Sequence, residues 1–281
     1  MNEIRGRDIL REVKQRCEPF PKEFLDKKVT ILRFAPSLKE TDATTLAKYE
    51  AARYSTDHKV KTFKFIGCEV NSQLLPYKTT LEEFEEILRS ASVDQNTVGI
   101  IVQNPIPPDL KRSLEIISPE KDLDGIQENH PLFKASATSE TIARLVKSFA
   151  DENTKVAVVG GDGFVGRGVI RLLEQDNINC FGLEQRDDLL RIRKADIVVS
   201  ATGVPELLDE RHLVSKHRLV VDAGFVPTSE QQILGDVKRS AYDIPENLTP
   251  VPGGVGPLQM ATLLERLITV ATDKNIETWT Y

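Results

Sequence analysis

The stretch KVAVVGGDGFVGRGV, Lys155 to Val169, constrains this chain more than any other. An apolar strand pattern runs into Gly161-x-Gly163-x-x-Gly166, and a helical pattern follows at once. Glycines let a backbone approach a pyrophosphate, and a helix start offers unpaired N–H groups and a favourable dipole. The motif alone is weak, and a merely structural glycine-rich βα turn is the competing reading. Strand, turn and helix in that order favour a dinucleotide site, with Gly160, Gly161, Asp162, Gly163 and Gly166 as its candidates. Glu184 lies 23 residues beyond Gly161, where an acid accepts hydrogen bonds from an adenosine ribose and favours NAD. A solvated surface glutamate is the plain alternative. Arg186, two residues on, could instead meet a 2′-phosphate, so NAD against NADP stays open.

The rest of the C-terminal half supports a sheet around this loop. Residues 178–183, 195–201 and 218–224 are near-continuous apolar runs, the pattern of parallel strands covered on both faces. A helix over 138–150 leads in, and the last helix, about 257–272, aligns Leu258, Ala261, Leu264 and Leu267. The N-terminal half reads βαβαβα after a helical stretch at 2–16. Strands are expected at 27–34, 68–75 and 97–103, and helices at 41–66, 79–91 and about 109–117. Thr79 and Glu82 have capping-box spacing at the start of 79–91. The expected fold is therefore α/β, with two α/β domains, the second a Rossmann-like parallel sheet.

Composition narrows the function classes. A net charge of −6 argues against a general nucleic-acid or anionic-membrane binder. Cys17, Cys68 and Cys180 are odd in number, far apart and without metal-ligand spacing, which suits a reducing compartment. The charged N-terminus has no apolar core for a secretory signal, and no apolar run reaches membrane-spanning length. A cytoplasmic protein is expected.

Three polar patches sit among apolar or proline-rich surroundings: Tyr54 to Lys61, Val102 to Pro108, and Ser118 to Gly125. Gln103 ends an apolar strand, where open α/β sheets bind ligands. Asp122 and Asp124 flank Leu123 and point opposite ways if extended, so at most one faces a shared cleft. TPVPGGVGP, Thr249 to Pro257, makes a rigid turn with little side-chain bulk.

With these patches in this order, the chain resembles the methylenetetrahydrofolate dehydrogenase/methenyltetrahydrofolate cyclohydrolase family. VQNPIP is similar to that family's Q-L-P-L-P strand end, and PEKDLDG to its P-x-K-D-V-D-G. ADIVVSATGVP, VVDAGF and GDV (235–237) recur in order, and TPVPGGVGP is nearly identical to the most specific signature. The resemblance implies an N-terminal folate-binding domain over 1–137, joined by the returning helix at about 258–281. It implies an NAD(P)-binding domain over 138–257, and a homodimer packed through that domain.

The resemblance also implies roles. The catalytic lysine lies in Y-x-x-x-K-x-K ahead of a helix-ending glycine; counting back from Gly67 gives Lys59, with Lys61 completing K-x-K. Tyr54 precedes Lys59 by five residues rather than four, with Ser55 in the usual slot, so its ring is turned by about 100° from the family position. Tyr49 with Arg53 has the right spacing but the wrong distance to Gly67. Gln103 would orient Lys59, and Asp124 would accept hydrogen bonds from the pterin. Tyr54, Lys61, Pro252, Gly253 and Gly254 would line the substrate, the last three at a turn where folate and nicotinamide meet. Thr202 and Gly203 would join the glycine loop on the cofactor side. Asn104, Asp162 and Gly161 depart from the family pattern, the last replacing a side chain that is arginine in some members.

The implied chemistry is oxidation of 5,10-methylenetetrahydrofolate with NADP+ or NAD+, then hydrolysis of the methenyl cation to 10-formyltetrahydrofolate. The resemblance thus implies an oxidoreductase and hydrolase of one-carbon metabolism, serving purine biosynthesis. Hydride transfer needs alignment of two rings. Hydrolysis needs an activated water and proton handling, which a lysine in a partly buried site can supply. A dehydrogenase without cyclohydrolase activity, and a silent folate- or dinucleotide-binding sensor, are the alternatives.

Overall fold

The computed structural model describes residues 1–18, 20–127, 130–230, 232–272, 274 and 276–281. In chain order the strands and α-helices are β1 (Asn2–Glu3), α1 (Arg7–Cys17), β2 (Lys28–Phe34), α2 (Ala43–Phe65), β3 (Glu69–Leu75), α3 (Leu81–Val93), β4 (Thr97–Val102), α4 (Ala137–Phe149), β5 (Lys155–Val159), α5 (Phe164–Gln175), β6 (Asn179–Leu183), β7 (Ile197–Ser200), β8 (Leu219–Asp222), β9 (Val226–Pro227), β10 (Ile233–Leu234), β11 (Asn247–Leu248) and α6 (Val255–Thr272). Residues 108–116 form a 3-10 helix rather than an α-helix.

The chain divides into two compact units. One comprises residues 1–10, 135–259 and 279–281 and holds a six-stranded parallel sheet in the order β1-β11-β8-β7-β5-β6. Strands β7 and β8 are wholly buried, as their unbroken apolar pattern requires. One face of this sheet packs a core of Ala157, Val159, Val198, Val220, Leu208 and Leu248 with their neighbours. The other unit comprises residues 11–134 and 260–278 and holds the parallel sheet β3-β2-β4. Its core joins Leu32, Phe34 and Val102 to Phe84 and Leu88 of α3 and to Leu110 and Ile117.

Two local expectations are corrected. Residues 2–16 do not form one helix. Asn2–Glu3 pair in parallel with β11, the Ile4 N–H donates to the Leu248 carbonyl at 2.8 Å, and the helix begins at Arg7. The first ten residues therefore belong with the six-stranded unit, outside the span expected to be continuous over 1–137, and residues 279–281 join them. The capping box of α3 is Thr80 with Glu83, one residue later than expected; the Glu83 carboxylate accepts from the Thr80 N–H at 2.8 Å.

Helix α2 sets the catalytic register. Asp42 caps it by accepting from the Thr45 N–H at 2.7 Å. It runs unbroken for 23 residues and stops at Gly67, which holds a φ of +86° that a glycine adopts at no steric cost.

Candidate active site

In the six-stranded unit, β5 delivers the chain to a tight loop at the start of α5. The Gly160 N–H donates to the Leu183 carbonyl at 2.7 Å, and the Gly163 N–H to the Gly160 carbonyl at 3.1 Å. Gly163 caps α5 without a side-chain hydrogen bond, so the first helical N–H groups are left to a ligand. A Cβ on Gly166 would lie 2.0 Å from the Gly160 carbonyl oxygen, so loop and helix touch backbone to backbone. This cradle fits a pyrophosphate.

The far side of the loop is acidic. Glu184 leaves the end of β6 and turns back, its Oε1 accepting from the Asp162 N–H at 2.7 Å. Its own N–H donates to Asp187 Oδ2 at 2.7 Å. Asp162 and Arg186 are both exposed.

The turn after β7 is held by a residue the sequence reading quoted, within GDV, without a role. Asp236 Oδ2 accepts from the Thr202 N–H at 2.7 Å, from Thr202 Oγ1 at 2.8 Å and from Ser200 Oγ at 2.8 Å. Gly203 follows at a φ of +65° with open space where a Cβ would be. Asp236 Oδ1 is buried with no hydrogen-bond partner among the described residues. Behind it Asp222, fully buried, accepts from the Gly224, Asp236 and Val237 N–H groups. Burial, and then the neighbouring Asp236 carboxylate, push the Asp222 carboxyl up to about 7; burial also raises Asp236.

The sign of the resulting pH dependence follows. The unfolded aspartate releases its proton near pH 4, whereas the folded pair keeps one until about pH 7, so the folded state binds more protons in that window. Stability of this unit should be highest at the acid end of the window and fall as pH rises toward 7. Asp236→Asn keeps the accepting oxygen and removes one of the two charges. It should flatten that fall in urea unfolding curves taken across the window; an unchanged slope would exclude the pair as its source.

The turn at 249–254 lies in the same unit. Val251–Pro252 is cis, Gly253 has a φ of +113°, and the Gly254 N–H donates to the Pro250 carbonyl at 2.8 Å. The Gly6 N–H donates to the Gly253 carbonyl at 3.0 Å, and a Cβ on Gly6 would lie 2.5 Å from the Gly254 oxygen. The turn is poor in side chains because another backbone crosses it at contact distance.

In the three-stranded unit, α2 turns Ala52, Thr56, Lys59 and Phe63 inward on one stripe. Lys59 is 1% exposed, and its Nζ lies 3.6 Å from Asp124 Oδ2. Gln103 follows β4, its N–H donating to the Leu32 carbonyl at 2.8 Å, and is also buried. Three buried polar atoms here have no hydrogen-bond partner among the described residues: Gln103 Nε2, Asp124 Oδ1 and Thr56 Oγ1. Buried polar groups are rarely left unpaired, so each of these atoms is open to a polar ligand.

Not every expected residue arrives. Asp124, rather than Gln103, is the polar group against Lys59. Lys61 is exposed, two residues and so about 200° around the helix from Lys59. Tyr54 is half-buried beneath the Arg53 guanidinium, 4.5 Å from the ring centre. Helix α2 has no bulge, so the one-residue offset of Tyr54 is real. Asp122 is fully buried and clamps its own loop, accepting from the Gly125 and Gln127 N–H groups. Sequence reasoning missed Thr56, one turn before Lys59. It also missed Arg266 of α6, which donates to the Leu123 carbonyl at 3.2 Å and steadies the Asp124 loop. Nothing in the sequence singles out Thr56, because the stripe it shares also carries Lys59 and Thr62.

Two family models match the chain: the tetrahydrofolate dehydrogenase/cyclohydrolase catalytic domain over residues 4–124, and the corresponding NAD(P)-binding domain over 136–275. The bifunctional protein FolD of Geotalea daltonii is 31% identical over 228 residues, spanning 76% of this chain and 81% of its own. The chain belongs to the tetrahydrofolate dehydrogenase/cyclohydrolase family. A second relative, the bifunctional protein FolD of Thermus thermophilus, is 31% identical over 256 residues, 85% of this chain and 88% of its own. The fold is shared with the Trypanosoma brucei methylenetetrahydrofolate dehydrogenase-cyclohydrolase solved with NADP and inhibitor. That structure has a TM-score of 0.80 at 23% identity, covering 96% of this chain and 97% of the other. Within the family frame, the buried Lys59–Asp124 pair lies in the segment matched by the catalytic model and the glycine loop in that matched by the NAD(P)-binding model.

Proposed function

We propose that this chain oxidises 5,10-methylenetetrahydrofolate with a nicotinamide dinucleotide and hydrolyses the resulting methenyl cation to 10-formyltetrahydrofolate, with Lys59 and Asp124 as the reacting pair. One observation carries the residue assignment: a buried lysine faces a carboxylate whose second oxygen has no hydrogen-bond partner among the described residues. The nicotinamide supplies a hydride acceptor. In the first step the bridging carbon of the folate gives up hydride, and the cation is shared between N5 and N10. The chain's part is alignment: the 160–166 loop holds the pyrophosphate, and Asp236 holds the Thr202–Gly203 turn.

In the second step water adds to the bridging carbon and gives up both protons as the formyl C=O forms: the bond to N5 breaks, N5 takes one proton, and the other is released to solvent. Lys59 is the group in reach of that proton traffic, and Gln103 Nε2 is a free donor to orient water or substrate. Asp124 Oδ1 accepts from the pterin amino and ring N–H groups, and Thr56 Oγ1 offers a further polar contact on the same stripe. Tyr54, Lys61, Pro252, Gly253 and Gly254 are the further substrate contacts of this proposal.

Absorbance spectra recorded over time with 5,10-methylenetetrahydrofolate and either oxidised cofactor test this directly. Reduced nicotinamide should appear without accumulation of methenyl-folate, faster than an enzyme-free control hydrolyses it. Accumulating methenyl-folate would leave a dehydrogenase alone, and no change with either cofactor would leave a binding protein. We further infer a cytoplasmic homodimer serving purine biosynthesis. Support for the compartment comes from buried, unpaired Cys17 and Cys68, whose thiols burial pushes up to about 12 and so keeps unreactive. No helix among the described residues is long and apolar enough to cross a membrane.

A further inference from the structure

We propose that the dinucleotide site selects NAD over its 2′-phosphorylated counterpart, and that Glu184 makes the selection. The inference rests on the reading of the 160–166 loop as a dinucleotide site.

Three placements carry it. First, Glu184 is not a solvated surface glutamate: its side chain is folded back onto the glycine loop and fixed there by the Asp162 N–H at 2.7 Å. That is the corner of a strand–turn–helix site which the adenosine ribose reaches, and a carboxylate there accepts from ribose hydroxyls. Second, the same corner holds Asp162 on the loop and Asp187, which accepts from the Glu184 N–H. A 2′-phosphate would bring a dianion against these carboxylates, whereas a 2′-hydroxyl brings a donor.

Third, position 161 cannot supply a cation. A Cβ there would lie 2.8 Å from the Gly182 Cα and 3.2 Å from Ile170 Cδ1. The first of these is strand backbone and cannot give way, so the loop excludes any side chain at that point. Arg186 is the one basic residue in the 184–187 turn, which closes when the Asp187 N–H donates to the Glu184 carbonyl at 3.0 Å. It stands against three carboxylates, so the corner stays negative.

The test separates selection from catalysis. NADH and NADPH are titrated into the full chain by fluorescence without folate, and initial rates are then measured with 5,10-methylenetetrahydrofolate and each oxidised cofactor. The expected result is a preference of about tenfold or more for the unphosphorylated form. Glu184→Gln keeps an oxygen for the Asp162 N–H and the ribose while removing the charge. It should shift the ratio of NADPH to NADH affinity toward NADPH by about fivefold or more. Arg186→Gln removes the one cation of the turn and should move the ratio further toward NADH. A wild-type protein that binds NADPH as tightly as NADH overturns the proposal, and so does an unaltered ratio in Glu184→Gln. Either failure leaves the oxidation reading intact if one cofactor is turned over. Binding of neither dinucleotide, with no turnover, would sink both.

Discussion

Lys59→Met should fold and should lose hydrolysis of the methenyl cation by about 10²–10⁴-fold, the usual contribution of a positioned proton-transfer group. Methionine fills a similar volume on the inward stripe of α2 and leaves no charge in a site 1% exposed. Its partner Asp124 retains some solvent access at 15% side-chain exposure, so it is not stranded as an isolated buried charge. Hydride transfer depends on alignment and should fall much less. The two activities should therefore separate: methenyl-folate accumulates while reduced nicotinamide still forms. Stopped-flow absorbance on the variant reads both at once. Hydrolysis at the wild-type rate would remove Lys59 from the mechanism, and loss of both activities in a folded protein would make it a substrate-binding group instead.

Gly166→Ala should be the most damaging single methyl in the six-stranded unit. The added carbon would sit 2.0 Å from the Gly160 oxygen, 2.8 Å from its carbonyl carbon and 2.9 Å from the Gly161 Cα. All three are backbone, so no side chain can swing aside, and the loop must part from α5. A cost of about 3 kcal/mol or more follows, at the upper end for overpacking. Dinucleotide affinity should fall by about a hundredfold or more, because the N–H groups that cradle the pyrophosphate move with the loop. Thermal unfolding and NADH titration measure the two effects. Near-wild-type affinity would mean that the loop does not contact the dinucleotide.

Much of this was legible in the sequence where a local pattern has one physical meaning. Val156–Val159 running into the glycine loop could only be a buried strand feeding a helix, and Lys59 followed from counting back to the helix-ending Gly67. The failures have different causes. The capping box slipped by one because Thr79 and Thr80 are chemically equal, and only the packing of Phe84 and Leu88 decides which starts α3. Lys61 was placed beside Lys59 because K-x-K reads as a pair, yet two residues on a helix face nearly opposite ways. The inward stripe of α2 was obscured because it carries Thr56, Lys59 and Thr62 where an apolar pattern would have shown it. Strand β1 left no trace because a two-residue parallel strand has no periodicity of its own.

That short strand bears on how the chain is made. Asn2 and Asn247 meet at a separation of 245 positions in sequence, so β1 leaves the ribosome long before its neighbour β11. The β3-β2-β4 sheet can form once residue 102 has emerged, but in the six-stranded sheet β1 must wait until residue 248 has emerged. A chain interrupted before residue 247 carries an unsealed parallel edge on β8, the kind of edge that recruits other chains. Sealing of the sheet is thus also a checkpoint on synthesis: only a chain translated past residue 248 can close the edge that residues 2 and 3 began.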